Sequence, residues 1–167
     1  MKGLMQDYRL NMPAILKRAE VLFGRREVVT RLPDRSLHRY AYDDFARRAK
    51  RLAIALQGLG ISEGDRVATL CWNHHQHLEA YFGVPCFGAV LHTLNLRLHP
   101  DDLAYIVEHA GDQALIVDES LLPLYEKFKD RVSIEHVIVV SEGGDDVPDG
   151  MTYYEELLDG ADENDYS

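Results

Sequence analysis

Cysteine is scarce: the chain of 167 residues holds only Cys71 and Cys86. Two thiols exclude a disulfide-stapled scaffold and allow at most one bridge. Their apolar surroundings favour the simpler reading, two small hydrophobes in a reducing compartment. Long apolar runs are absent too. Nothing approaches the roughly 20 residues of a membrane span, and the opening MKGLMQDYRLNM lacks the uninterrupted apolar core of a signal peptide. A cytoplasmic protein is the expectation. Basic charge is missing where nucleic acid would need it. Of 28 acids against 18 Lys and Arg, ten acids and no base fall between Glu142 and Ser167, which leaves the first 141 residues neutral. No segment is basic enough to track a phosphate backbone, so nucleic acid is not an expected partner. The acidic end, 142–167, reads as a solvated, poorly ordered tail behind an α/β portion at 1–141.

What is present is alternation. With 46% hydrophobic residues the chain can bury a core. The stretch from Arg66 to Pro100 reads as strand, polar turn, helix and strand. Val67–Cys71 is β-compatible, Leu78, Tyr81 and Phe82 recur at helical spacing, and Ala89–Leu94 is strand-like again. A parallel crossover needs about a dozen residues, so this is a βαβ unit. Before it, Asn11 caps a helix carrying Ile15, Leu16, Ala19 and Leu22. REVVTRL and SLHRYAY flank the turn Pro33-Asp34-Arg35 as a hairpin, and Asp43 and Asp44 open a helix with Phe45, Ala49, Leu52, Leu56 and Leu59 on its apolar side. After it come a helix from Pro100 to Gly111, a strand at 113–118, a helix over 121–128 and a strand at 134–140. The pattern predicts an α/β fold: a mainly parallel sheet with helices on both faces, preceded by a helix and a β-hairpin.

Chemistry-bearing constellations are few. Gly58, Gly60 and Gly64 are spaced GxGxxxG and follow a helix, whereas a dinucleotide fingerprint follows a strand. Gly143-Gly144 is flanked by carboxylates and lacks the Lys and hydroxyl of a phosphate loop. Cys71, His74, His75 and His77 have zinc-ligand chemistry and short spacing, but no second ligand cluster accompanies them. A helix start bearing exposed histidines is the favoured reading, and no metal is assigned. Neither an orienting acid nor an oxyanion donor is identifiable for a Cys–His nucleophile. Asn95 and Arg97 follow the C-terminal end of a strand, where open α/β sheets bind ligands. They read as turn and surface residues, or as an interface or ligand-supporting pair.

Three segments together resemble the adenylate-forming enzymes. Tyr40-Ala41-Tyr42-Asp43-Asp44-Phe45 is similar to that family's first core motif, and Phe87-Gly88-Ala89-Val90-Leu91-His92-Thr93-Leu94-Asn95 to its second. Gly60–Val67 looks like the usual lead-in to a sheet strand. Trp72-Asn73 with His77-Leu78-Glu79, and His92–Leu98, resemble the bacterial medium- and long-chain fatty acyl-CoA synthetases. The likeness runs from about Tyr8 to Val140. Ala41 and His99 stand where the family often has capping hydroxyls. The family's phosphate loop, adenine motif, ribose-binding Asp and catalytic Lys match nothing here. The resemblance therefore implies the N-terminal part of a large adenylation domain, inactive alone, with no catalytic, cofactor-binding or metal residue in this chain. It implies a parent that joins a fatty acid (an aryl acid being the alternative) to coenzyme A, using ATP and magnesium through an acyl-adenylate. It also implies a homodimer, with Asn95 and Arg97 as interface candidates. The competing readings are a stand-alone dimerisation or binding module of the same fold, and a metal-binding regulator built on Cys71 and the histidines.

Overall fold

The computed structural model describes residues 3–4, 7–141 and 147–166. Asn11 Oδ1 accepts the amide of Ala14 and starts helix α1 (Met12–Phe23). Strands β1 (Glu27–Arg31) and β2 (Leu37–Ala41) pair antiparallel around the Pro33-Asp34-Arg35 turn, with Val29 opposite Arg39. Helix α2 (Tyr42–Gly58) starts without a capping hydroxyl. Asp44 compensates, because its Oδ2 accepts the Ala41 amide at 3.2 Å.

Strand β3 (Arg66–Leu70), helix α3 (His75–Cys86) and strand β4 (Val90–Thr93) form the expected βαβ unit. Helix α4 (Pro100–Ala110) is capped by His99 Nδ1 and ends at Gly111, whose left-handed φ of 67° suits glycine. Strand β5 (Asp112–Asp118) follows, then the short helix α5 (Leu122–Tyr125), strand β6 (His136–Val140), strand β7 (Thr152–Tyr153) and helix α6 (Tyr154–Asp159). Among the described residues the sheet order is β4-β3-β5-β6-β7, and every neighbouring pair is parallel. Val67, Ile116, Ile138 and Val140 pack beneath Leu52, Leu56, Ala80, Val84 and Tyr154 on one face. Leu70, Leu115, Val117 and Val139 meet Leu103, Val107, Tyr125 and Phe128 on the other. Adjacent strand residues alternate between the two faces, so both must be apolar, as in a sheet covered on each side.

Four expectations differ from the structure. The helix over 121–128 is broken into a 3-10 turn at Glu119–Leu121, the four-residue α5 and a second 3-10 turn at Lys129–Arg131. The face of α1 read as apolar is half exposed: Leu16 is buried, while Ile15 and Leu22 are not. Helix α3 turns a largely polar face inward, burying His75, Gln76, His77 and Glu79, while Tyr81 stays exposed. Finally, residues 152–166 are not a loose tail. Strand β7 extends the sheet, and Tyr154 and Leu158 are buried in the first core. A row of arginines on α2 supplies two acids of this segment with partners: Arg48 grips Glu155 at 2.7 and 2.8 Å, and Arg51 meets Glu163 at 2.8 Å. Gly143 and Gly144, weighed above as a phosphate loop, lie outside the described residues.

Candidate functional site

Strand order places the site. From β3 the chain crosses to β4 on one side; from β5 it crosses to β6 on the other. Connections that diverge in this way leave a crevice beyond the carboxyl ends of β3 and β5, where open α/β sheets take ligands. A cleft of about 530 Å³ lies there. Its floor and one wall are Trp72, Asn73 and His74 after β3 and Asp118, Glu119 and Ser120 at the end of β5. The hairpin tip, with Arg31 and Arg35, makes the opposite wall.

Asp118 organises the floor. One carboxylate oxygen accepts the Trp72 amide at 2.6 Å, and the other lies 2.7 Å from His74 Nε2. His74 Nδ1 accepts the amide of His77 at 3.2 Å and so caps α3. An accepting Nδ1 carries no proton, so Nε2 carries it and donates to Asp118. His77 is held the opposite way. Its Nδ1 donates to the Trp72 carbonyl at 3.1 Å, and its Nε2 accepts from the Thr69 hydroxyl at 3.0 Å. Burial holds His77 below its ordinary pKa. It drives His75, which stacks on His38 at 4.0 Å, down to about 3, with the charges of His38, Arg48 and His74 adding to the effect.

Candidate ligands for a metal do converge. Cys71, His74 and Asp118 each offer an atom within 4.8 Å of the others. The donor chemistry nevertheless does not fit a cation. Binding one at His74 Nε2 would move the imidazole proton to Nδ1, which already takes a backbone N–H. Cys71 is held as a thiol donating to the Ile116 carbonyl, and burial, followed by the charge of Asp118, raises its pKa well above the ordinary value. The same two observations disarm a nucleophilic triad: the histidine has no free basic nitrogen, and the sulfur is buried. Asn95 and Arg97 lie elsewhere, on the turn after the edge strand β4. There Asn95 Oδ1 accepts the Arg97 amide at 3.0 Å, and both side chains are exposed. Sequence reasoning singled out His74 but missed Asp118, Arg31 and Arg35. The signals were a strand ending in an acid, and arginines at a turn that topology carries over the sheet.

An α/β unit with its crevice at a switch point defines a broad class of ligand-binding folds. Comparison with known proteins narrows it: the model of the AMP-binding enzyme family matches residues 17–164. The chain belongs to that family of adenylate-forming enzymes. It is 48% identical over 155 residues to the long-chain-fatty-acid–CoA ligase of Thermus thermophilus, covering 92% of this chain and 28% of the relative. It is 31% identical to the medium-chain-fatty-acid–CoA ligase of Ectopseudomonas oleovorans, covering 98% of this chain and 31% of that one. Among solved structures, an anthranilate CoA ligase in complex with anthranoyl-AMP superposes with a TM-score of 0.82 at 23% identity, covering 98% of this chain and 30% of its own. The chain thus spans less than a third of these relatives. Among the described residues no helix is long and apolar enough to cross a membrane.

Proposed function

We propose that this chain is the N-terminal portion of an ATP-dependent fatty acid–CoA ligase. The parent takes fatty acid, ATP with magnesium, and coenzyme A to acyl-CoA, AMP and pyrophosphate through an acyl-adenylate. The observation that carries this reading is the 48% identity to a long-chain-fatty-acid–CoA ligase across nearly the whole chain. Adenylation depends on stabilising charge that develops on the transferring phosphoryl and acyl groups. No constellation for that is assigned to these residues, so the chain alone is inactive and binds none of the parent's cofactors. Two experiments test this. Incubated with ATP, magnesium, coenzyme A and a fatty acid, the 167-residue protein forms no acyl-CoA; formation would overturn the inactivity. The reading frame past Ser167 encodes a Ser/Thr-Gly-rich loop followed by Lys; an immediate stop would overturn the ligase reading.

A second reading is a stand-alone binding or dimerisation module, which the burial of Tyr154 and Leu158 under α2 favours because it closes one face of the core. Under either reading we place the protein in the cytoplasm and expect a homodimer. Its contact uses Tyr8–Gly24, where Leu10, Val21 and Leu22 are exposed, and the turn bearing Asn95 and Arg97. Sedimentation of a Val21→Asp/Arg97→Glu variant gives half the wild-type mass; an unchanged mass would sink the contact.

A further inference from the structure

We propose that the β1–β2 hairpin is a proton-operated flap over the switch-point crevice: protonation of the His38–His75 pair releases its outer half from α3, while the parallel sheet stays folded. The device holds under either reading of the chain's function.

The hairpin is rooted firmly and held loosely. At its root the Tyr42 amide donates to the Arg26 carbonyl at 2.8 Å, and the Asp43 amide to the Gly24 carbonyl at 3.0 Å. Just above, the Tyr40 hydroxyl donates to Glu79 at 3.0 Å. Nothing polar ties down the rest. Among the described residues, 27–39 form hydrogen bonds and ion pairs only within the hairpin. Two open spaces border its outer half. The crevice of about 530 Å³ lies against Arg31, Leu32, Pro33 and Arg35, and a groove of about 310 Å³ separates Val28–Arg31 from α3. Thr30 and His38 stand opposite one another as the last inward-facing pair before the tip. There His38 stacks on His75 of α3, with ring centroids 4.0 Å apart and planes 18° from parallel. That stack is the grip.

The grip requires neutral rings. His75 is 7% exposed, and its Nδ1 has no hydrogen-bond partner. Its surroundings offer a proton no free counter-charge. Strand β2 contributes His38 and Tyr40, α2 contributes Arg48, α3 adds His74, and Arg31 of β1 lines the same groove. The acids bonded to these neighbours are committed: Glu79 to Arg48, Tyr40 and Tyr154, and Asp118 to Trp72 and His74. A proton on His75 would be desolvated among like charges. Burial, then the charges of His38, Arg48 and His74, push its pKa down to about 3. Once the hairpin swings away, the imidazole meets water and titrates near about 6.5. The open form therefore binds a proton that the closed form refuses. Between those two values the open population grows about tenfold for each unit that pH falls. Opening also removes the wall that carries Arg31 and Arg35, so acidification widens the crevice.

Native-state thiol labelling of the full chain reads this motion. Thr30→Cys puts a thiol of similar size on the buried inner face of the hairpin, and the buried Cys71 reports global unfolding in the same molecule. Modification by a methanethiosulfonate is followed at each cysteine by mass spectrometry as pH falls through the imidazole range. Each rate is divided by that of an unstructured peptide thiol. The corrected rate at Thr30→Cys is expected to exceed that at Cys71 and to change little with urea, because little surface is exposed. It should rise by up to about tenfold per unit fall in pH. In the His75→Phe background, which keeps a ring in the stack but takes no proton, the rise should disappear. Carbethoxylation of His75 in the wild type, corrected against a free histidine peptide, should follow the same course without a cysteine variant. Labelling at Thr30→Cys no faster than at Cys71 would show that the hairpin opens only with the whole domain, and would overturn the flap. So would rates that stay flat with pH, or an equal rise in the folded His75→Phe protein.

Discussion

Arg48 Nε lies 2.7 Å from Glu79 Oε1, and that carboxylate is completely buried between α2, α3 and α6. The hydroxyls of Tyr40 and Tyr154 donate to the same carboxylate at 3.0 and 2.8 Å. The guanidinium also reaches Glu155, so one cation ties the hairpin, two helices and the C-terminal segment together. Burial opposes the charge on Arg48, yet its bonds to Glu155 and Glu79 carry its pKa above the ordinary value. Breaking a buried pair by removing one partner typically costs about 3–5 kcal/mol, because the other charge is left alone. Arg48→Met is therefore expected to lose stability on that scale in urea unfolding. The double variant Arg48→Met/Glu79→Leu should recover a substantial part of the loss. A double variant whose loss equals the sum of the losses of Arg48→Met and Glu79→Leu would show that the ion pair is not coupled.

The second prediction concerns pH. His75 is buried with Nδ1 unpartnered, and its pKa falls to about 3 through burial and through the charges of His38, Arg48 and His74. In the unfolded chain it titrates near its ordinary value. Between those two values the unfolded state binds the extra proton, so stability rises with pH across that window and is lost as pH falls through it. The slope from one such proton is about 1.4 kcal/mol per pH unit. His77 acts in the same direction. Replacing His75 with Phe should flatten the acid limb of stability against pH by about one proton; an unchanged slope would remove His75 from this role.

These two relationships also mark how far the chain could be read before folding. The hairpin turn was legible from Pro33-Asp34-Arg35, and the helix stops because Gly60, Gly88 and Gly111 sit at φ 92°, 94° and 67°, a need that local sequence encodes. So was the sheet, since β3, β5 and β6 are apolar on both faces. The inward face of α3 was not. Glu79 is tolerable in a core only because Arg48, 31 positions away, and Tyr154, 75 positions away, converge on it. The acidic segment misled for the same reason: Glu155 and Glu163 look solvated until α2 brings Arg48 and Arg51 to them. The crevice likewise depends on topology, which joins Trp72 to Asp118 across 46 positions.

Helix packing offers a sharper contrast. A Cβ on Gly83 of α3 would meet the Ala49 carbonyl of α2 at 2.8 Å and Leu52 Cδ2 at 3.0 Å. Backbone cannot step aside cheaply, so Gly83→Ala should force the two helices apart at a cost of about 1–3 kcal/mol. A Cβ on Gly24 would meet Asp43 Oδ1 at 1.8 Å, nominally the worse clash. Asp43 is exposed, however, and can rotate away. Thermal unfolding should therefore rank Gly24→Ala as the milder substitution, and the reverse order would mean that α2 and α3 can slide freely.

The last prediction tests the histidine at the head of α3. With His74 Nδ1 capping the helix and Nε2 donating to Asp118, the imidazole has no lone pair left for a cation. Protein prepared without a histidine tag should contain no stoichiometric zinc, and a chelator should leave its unfolding midpoint unchanged. His74→Ala removes a cap and should cost about 1 kcal/mol, whereas His74→Asn restores an N-cap oxygen and should cost less. Zinc at one equivalent, lost together with stability on chelation, would reverse the assignment. It would require the His74 proton to move, the α3 cap to open and Cys71 to ionise inside the core.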